Sequence, residues 1–425
     1  MKNLFLLLFI GIVLCSNAQN KCASQYLYEK KLQANPTAKE IHRNAEALMS
    51  DMLLHQVNEN PKSNPTIAHK TNAVITIPVV VHVVYRTPSQ NISEAQIREQ
   101  IRVLNEDYRS KNPDSLPVSH PFWSYTADAQ YEFCLASIDP NGNPTNGIIR
   151  TSTTTNGYDA DINGDDVKFT ITGGQDNWDP HYYLNIWVCD LINGVLGYAT
   201  FPDQLDANPQ LDGIVVGYKY FGTGGVTVSP NNLGRTLTHE AGHWLGLYHP
   251  CETSCENDLV SDTPPCEQLN YGCPSFPRRP NNTCGGDANG EMYMNFMDYV
   301  DDPCMNTFTY GQTVRMHNQQ NTYRPDIATA NKCVSTASIN DGKTIKFSIY
   351  PYPSNDFIEI YLGDEQLFKN PMIEICDELG RKIYSKTFYN TNSLHIETAT
   401  IASGSYIVTI TDGAIQTSKP IYILH

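Results

Sequence analysis

The sequence predicts an α/β (α+β) unit with a twisted mixed sheet and a functional helix, followed by a separate all-β sandwich. Three observations predict it. Ile75 to Tyr85 is an unusually apolar, β-branched run, as a strand buried on both faces must be. Shorter strand-like runs then alternate with stretches of helical periodicity, the order that builds a layered α/β sheet. After Cys333 the pattern changes to short alternating strands separated by turn residues, continuing to His425.

At the start of the chain, Lys2, the apolar run Leu4 to Leu14 and the small or polar Ser16, Asn17 and Ala18 read as a secretory signal peptide over residues 1–18. A lipid anchor at Cys15 is the rival reading, against which bulky Leu14 stands. No later segment reaches the ~20 apolar residues of a membrane span, so a soluble, secreted protein without a transmembrane segment is expected. Residues 19–72 form a polar propeptide with one helical stripe, Ile41, Ala45, Leu48 and Met52, and an exit through Asn60, Pro61 and Pro65. The α/β unit occupies 73–333. Its first helix starts near Ser93 and turns Ile97, Ile101 and Leu104 to one face. Strands are expected at Tyr131 to Ala136, Tyr183 to Val188, Gly197 to Phe201 and Gly213 to Val216, then a helix capped near Asn231 or Asn232, and later a helix over Tyr310 to Thr322. In the sandwich, 334–425, turns fall near Asp377, Gly380 and Gly404. Phe357, Ile360, Ile373, Ile375, Ile383, Tyr406, Val408 and Ile410 are its expected inward residues.

Composition narrows the function. With 29 Lys and Arg against 45 Asp and Glu, the net charge of −16 offers nothing to a nucleic-acid backbone, and no nucleic-acid partner is expected. Of the 12 cysteines, Cys15 leaves with the signal, and the remaining odd number requires at least one unpaired thiol or an intermolecular bond. Cys251, Cys255, Cys266, Cys273, Cys284 and Cys304 crowd one Pro-, Gly- and Asn-rich stretch, where disulfides supply order that apolar packing cannot. A zinc ribbon is the alternative, without a paired CxxC to support it. Cys134 and Cys189, in apolar strands, are expected to be buried free thiols.

The decisive segment is His239-Glu240-Ala241-Gly242-His243-Trp244-Leu245-Gly246-Leu247-Tyr248-His249. It fills every fixed position of HExxHxxGxxH. Residues four apart on a helix share a face, so His239 and His243 can grip one cation together, with Glu240 beside them. Gly246 offers the left-handed backbone that ends the helix, and His249 then arrives as third ligand. Three neutral imidazoles suit Zn²⁺ and leave a fourth position for water, the open arrangement of a catalytic site. Glu240 can take a proton from that water and pass it to a leaving amine, which is peptide-bond hydrolysis.

With this motif the sequence resembles the metzincin metallopeptidases, and Asn295-Phe296-Met297-Asp298-Tyr299 looks like their Met-containing turn. Val260 to Pro265, Gly272-Cys273-Pro274 and Asn295 to Asp302 followed by Cys304 are similar to the pappalysin family, a resemblance spanning about Ile75 to Cys333. It implies a metzincin catalytic domain in which Met297 forms a floor under the ligands and Tyr299 turns its hydroxyl to the oxyanion of the intermediate. It also implies disulfides Cys255–Cys284 and Cys273–Cys304; Cys251 and Cys266 are additional here and could pair with each other. Calcium is implied in the loop after the active-site helix, with Asp258 and Asp262 as oxygen ligands. Asp301 and Asp302 fall where the family shapes the pocket for the residue after the scissile bond, favouring Arg or Lys there. Gly197 and Tyr198 belong to the edge strand that aligns an extended substrate antiparallel.

Cys22, near the start of the propeptide, could hold the zinc before activation, as the prosegment cysteine does in resembling proteases; an unpaired or disulfide cysteine is the alternative. Tyr350-Pro351-Tyr352-Pro353-Ser354, Asp377 to Lys382 and Gly404-Ser405-Tyr406 resemble the C-terminal sorting domain of type IX secretion, with Tyr352 where those domains usually carry Asn. That likeness implies the export machinery as a partner. The whole reads as a secreted, latent zinc endopeptidase acting on proteins or peptides. Its rivals are a non-enzymatic, zinc-stabilised surface adhesin and a hydrolase of non-peptide amides or esters.

Overall fold

The structure, a computed structural model, describes residues 21–59, 74–251, 255, 258–279, 284, 288–333, 347–351, 353–362, 371–377, 381–389, 393–412 and 415–425. The expected signal peptide, the Pro-containing exit of the propeptide, Tyr352 and Gly380 lie outside them. The chain divides into two compact units, Met1–Val334 and Ser335–His425.

The first unit opens on two helices, α1 (Ser24–Ala34) and α2 (Pro36–Glu59), where the sequence suggested a single helical stripe. Asn35 separates them in an extended conformation, as the residue before a proline is disposed to be, and Pro36 starts the second helix. Strand β1 (Ile75–Tyr85) has every residue from Ile77 to Val84 buried, because its alternating side chains pack into apolar clusters on both faces of the sheet. Its successors are helix α3 (Glu94–Asp107) and strands β2 (Tyr131–Leu135), β3 (Ile148–Ser152), β4 (Leu184–Cys189), β5 (Gly197–Ala199) and β6 (Ile214–Gly217). The sheet runs β2-β1-β4-β6-β5, with β3 also on β1. All pairings are parallel except β5 with β6, so the sheet is mixed and β5 forms an edge. β3 had escaped the sequence reading: none of its five residues is fully buried, so it carries no apolar run.

Ser93 caps α3 by accepting the Gln96 amide at 3.1 Å, and Ile97, Ile101 and Leu104 pack into the sheet core. Helix α4 (Arg235–Trp244) is buried at all ten positions. Asn231 and Asn232 do not cap it. Gly234 does, at φ +83°, while the Asp302 carboxylate accepts from the amides of Leu233 and Arg235. An aspartate remote in sequence thus satisfies a helix start that local sequence seemed to require of an asparagine. Helix α5 (Tyr310–Tyr323) begins with a Thr309 and Gln312 capping box.

Among the described residues four disulfides tie this unit: Cys251–Cys266, Cys255–Cys284, Cys273–Cys304 and Cys134–Cys333. The last corrects the expectation of a free Cys134, whose partner lies 199 residues away, beyond any local spacing rule. Cys189 is free and buried.

The second unit has a four-stranded antiparallel sheet, β10 (Lys382–Thr387), β9 (Met372–Asp377), β12 (Gly404–Asp412) and β13 (Ile415–Ile423), and a three-stranded one, β11 (Ser393–Glu397), β8 (Phe357–Tyr361) and β7 (Ser348–Tyr350). Ile360, Ile373, Ile375, Tyr406, Val408 and Ile410 face its core. Phe357 and Ile383 do not. The inward face of β8 is Ile358 and Ile360, one residue out of register with Phe357, which stacks on His395 at the surface. Ile383 lies at a register irregularity between β10 and β9. Among the described residues no helix is long and apolar enough to cross a membrane.

Candidate active site

His239 and His243 sit a turn apart on α4, which ends in paired bonds from Leu247 N to Gly242 O, 2.9 Å, and from Gly246 N to His243 O, 2.8 Å. Gly246 adopts φ +91° there, and a Cβ would stand 2.6 Å from the Gln319 side chain. The reversal brings His249 back. The three Nε2 atoms then form a triangle with edges of 3.1, 3.1 and 3.0 Å. In His239 and His243 the other ring nitrogen donates to a carbonyl, Phe296 O and Leu247 O, both at 2.8 Å. Their Nε2 atoms therefore carry lone pairs, not protons. Burial and the neighbouring imidazoles reinforce this, holding His239 down to about 3 and His243 well below the usual range. Lone pairs that converge this closely fit a shared cation, and the all-nitrogen donor set fits zinc.

Met297 lies under the helix, its Sδ only 2.3 Å from where a Cβ on Gly242 would be. The motif's variable position is glycine here because the Met turn fills the space a side chain would need.

The Cys22 sulfur joins the three histidines, the four ligand atoms lying within 4.8 Å of one another. Its segment pairs with the free edge of β5: Leu196 N donates to Lys21 O at 2.8 Å and Ala23 N to Gly197 O at 3.2 Å, in parallel. Ser24 Oγ donates to Glu240 Oε2 at 2.6 Å and accepts from Ala199 N at 2.8 Å. Burial raises Glu240 to about 8, and burial with Glu240 alongside raises the Cys22 thiol well above its usual range. Gly197 lets the edge approach: a Cβ would meet Glu240 Cγ at 2.9 Å. The bonds to residues 21–24 come from Leu196, Gly197 and Ala199; among the described residues Tyr198 contributes none. Its buried ring faces the Lys168 ammonium at 5.3 Å, bracing the strand from behind. Tyr299 donates its hydroxyl to Cys22 O at 2.9 Å.

Asp301 and Asp302 take different places. Asp301, at the rim, receives Lys21 Nζ at 2.6 Å. Asp302 lines the cavity beside Tyr299, Thr236 and Asn231, and burial pushes it up to about 6. Asp258 and Asp262 do not form a second grouping of three or more His, Cys, Asp or Glu ligands among the described residues. Asp262 is consumed at the start of α5 by Thr309 Oγ1 and Gly311 N, whereas Asp258 Oδ2 has no partner among the described residues. Lys21 and Ser24 went unread in the sequence. Their only signal was adjacency to Cys22.

A family model described as pregnancy-associated plasma protein-A matches residues 170–321, and one described as a secretion system C-terminal sorting domain matches 348–424. An extracellular metalloprotease of Pyricularia oryzae is 31% identical over 262 residues, 60% of this chain and 77% of that protein. One from Uncinocarpus reesii is 33% identical over 259 residues, 59% of this chain and 78% of its own length. Among solved structures, mature mirolysin of Tannerella forsythia in complex with a cleaved peptide is 47% identical, with a TM-score of 0.59, over 62% of this chain and 98% of that one. A promirolysin mutant from the same organism is 40% identical with a TM-score of 0.64, over 75% of this chain and 99% of that one. Similarity that spans most of each relative and includes the segment bearing the three histidines leaves one conclusion: the chain belongs to the pappalysin family of metallopeptidases.

Proposed function

We propose that this secreted metallopeptidase is a zinc endopeptidase, made latent by its own prosegment and cutting protein chains before Arg or Lys. The observation that carries the reading is the convergence of three imidazole nitrogens and the Cys22 sulfur on one point. His239, His243 and His249 would hold the ion. When bound, zinc supplies a Lewis acid that brings the pKa of a water at its open position toward ~7.

Glu240 accepts the proton of the attacking water and passes it to the leaving amine. The buried carboxyl suits that exchange because its surroundings tolerate the protonated form. Tyr299 steadies the oxyanion. Its bond to the Cys22 carbonyl supports this role, since a substrate carbonyl is the same kind of acceptor. The β5 edge orients the substrate through the main chain of Gly197.

In the precursor, the Cys22 sulfur would serve as a fourth ligand to the ion where water would otherwise bind, and Ser24 occupies the base. The segment runs parallel to β5, opposite to the direction expected of a substrate, so its own peptide bonds are turned away from productive attack. Lys21 on Asp301 supports a pocket for basic side chains. Calcium would bind at Asp258, and a rise in melting temperature on adding calcium to the chelated protein, absent in Asp258→Asn, tests this. The C-terminal unit would deliver the chain to the type IX export machinery.

The central test is a peptide library digested by the matured protein and read by mass spectrometry. Cuts before Arg and Lys, abolished in Glu240→Ala with zinc content unchanged, are the expected result. Binding without cleavage, or cuts before bulky apolar residues, would reject the respective part.

A further inference from the structure

We infer that Arg315 forms a carboxylate-recognising subsite of the mature enzyme, which the prosegment fills with Glu46 and which its release opens to an acidic side chain before the scissile bond. The inference rests on reading residues 19–72 as a removable prosegment.

The Arg315 guanidinium, on α5, is held by two groups that stay with the mature enzyme. Its Nε donates to Gly246 O at 2.7 Å, and its Cζ lies 4.9 Å from the centre of the Tyr248 ring. The outward fork is satisfied differently. Nη1 and Nη2 donate to the two carboxylate oxygens of Glu46 on α2, at 3.0 and 2.8 Å. Among the described residues Glu46 is its one ion-pair partner, and the arginine side chain is 0% exposed while the pair is intact. Removing α2 takes away the carboxylate hydrogen-bonded to a fixed fork of two donors and leaves buried Asp258 as a charged neighbour that makes no ion pair with it, so the two outward donors are free for another anion. A planar fork of this geometry matches a carboxylate.

The path of the prosegment sets the position relative to the scissile bond. Lys21 points to Asp301, and the chain then runs parallel to β5, so the residues after Cys22 cover the side where an antiparallel substrate carries its residues before the cut. Tyr28 stacks on Phe201 at 4.6 Å, Phe201 stacks on Tyr248 at 5.1 Å and lies 5.4 Å from the His243 ring. Tyr248 donates to Glu46 at 3.1 Å. This stack leads from a metal-site histidine to Arg315 along one side of the cleft. Asp203 faces the same side, where it receives the Tyr28 hydroxyl and lies 3.3 Å from His42 Nδ1, and its charge opposes an incoming acid.

The test uses matured protein whose N terminus has been verified to lie beyond Glu59. Peptide pairs carrying a basic residue after the cut differ only in Glu against Gln, at each of the second to sixth positions before it. The expected result is one position at which the acid is preferred about tenfold in kcat/KM. That ratio falls to about one in Arg315→Gln and is partly kept in Arg315→Lys. In Asp203→Asn, which leaves the fork untouched, it rises about twofold. A wild-type scan without an acid preference at any position overturns the inference, as does a preference that survives in Arg315→Gln. Should that variant not fold, the wild-type scan and Asp203→Asn decide. Failure to cleave any peptide overturns the peptidase reading and this one with it, and is distinct from cleavage without acid preference.

Discussion

Lys21 Nζ stands 2.6 Å from Asp301 Oδ1, so the precursor places its own ammonium where the pocket is expected to meet a basic substrate residue. Both side chains keep about a fifth of their exposure, at 18% and 21%, so the pair is worth at most about 1 kcal/mol. Asp301→Asn in the matured protein should therefore lower kcat/KM for peptides with Lys after the cut by roughly fivefold relative to a neutral residue there. Equal losses on both peptides would assign Asp301 to the fold alone.

Cys22 and Ser24 stand at different parts of the site, the point where the three histidines converge and the Glu240 carboxylate. Cys22→Ala frees the former, so the uncleaved precursor should hydrolyse a fluorogenic peptide at least tenfold faster than wild-type precursor, with equal zinc content. Ser24→Ala leaves the Cys22 sulfur in place and should gain far less. Comparable gains from both changes would remove the sulfur from the account.

Asp302 has an ordinary carboxyl value of 3.8 that burial raises to about 6, while the cations Arg235 and Lys21 oppose the rise. Only the ionised form attracts a basic side chain. Preference for Arg over a neutral residue should thus be complete above about pH 7 and fade as pH falls through 6. Removal of residues 21–22 would take away the Lys21 charge and also admit water to the carboxyl, two changes that move the midpoint in opposite directions. The ratio of kcat/KM values between paired peptides, followed from pH 5 to 8, measures it. A flat ratio would place the discriminating charge elsewhere.

The sequence was legible where a constraint is local. The period of β1, the cap at Ser93 and the four- and six-residue spacings that gather His239, His243 and His249 all act within one turn or one strand. It was illegible where the partner is remote. Asp302 serves the start of α4 from 67 residues away, Cys333 finds Cys134 across 199, and Ser24 reaches Glu240 across 216. None of these pairings leaves a periodic trace. In the second unit Phe357 and Ile360 were both read as inward, yet residues three apart on a strand face opposite sides; Ile360 lies inward with Ile358, and Phe357 does not.

Gly242 has no room for a methyl group, since its Cβ would stand 2.3 Å from Met297 Sδ and 3.2 Å from Met297 Cε. Methionine can adapt, so Gly242→Ala should fold, with a loss of about 1–3 kcal/mol from overpacking. Shortening Met297 to Ala opens a cavity by itself but relieves the clash in the double variant. The two effects should therefore be non-additive, with the double variant less destabilised than the sum by about 1 kcal/mol or more. A denaturant double-mutant cycle on the chelated protein reads this coupling directly, and strict additivity would show that the methionine does not fill the space beside Gly242.

Cys134 lies on β2, hydrogen-bonded into the sheet beside β1, whereas Cys333 comes after the last helical turn of the first unit. Their bond closes a loop with a sequence separation of 199, so it restricts the unfolded chain over the part of the first unit from β2 onward. Loop-closure entropy for so long a loop gives an upper expectation of about 5 kcal/mol, and measured losses for native disulfides run at about 2–5 kcal/mol. For a unit of this size each kcal/mol moves Tm by about 2–4 °C. Cys134→Ser paired with Cys333→Ser should lower the melting temperature of the matured unit by roughly 5–15 °C. Peptide cleavage at 25 °C should persist, because the three histidines are positioned by α4, its reversal at Gly246 and the Met297 turn, none of which this disulfide joins. Loss of cleavage in a variant that remains folded would mean that β2 controls the geometry of the metal site, contrary to this division between global stability and local positioning.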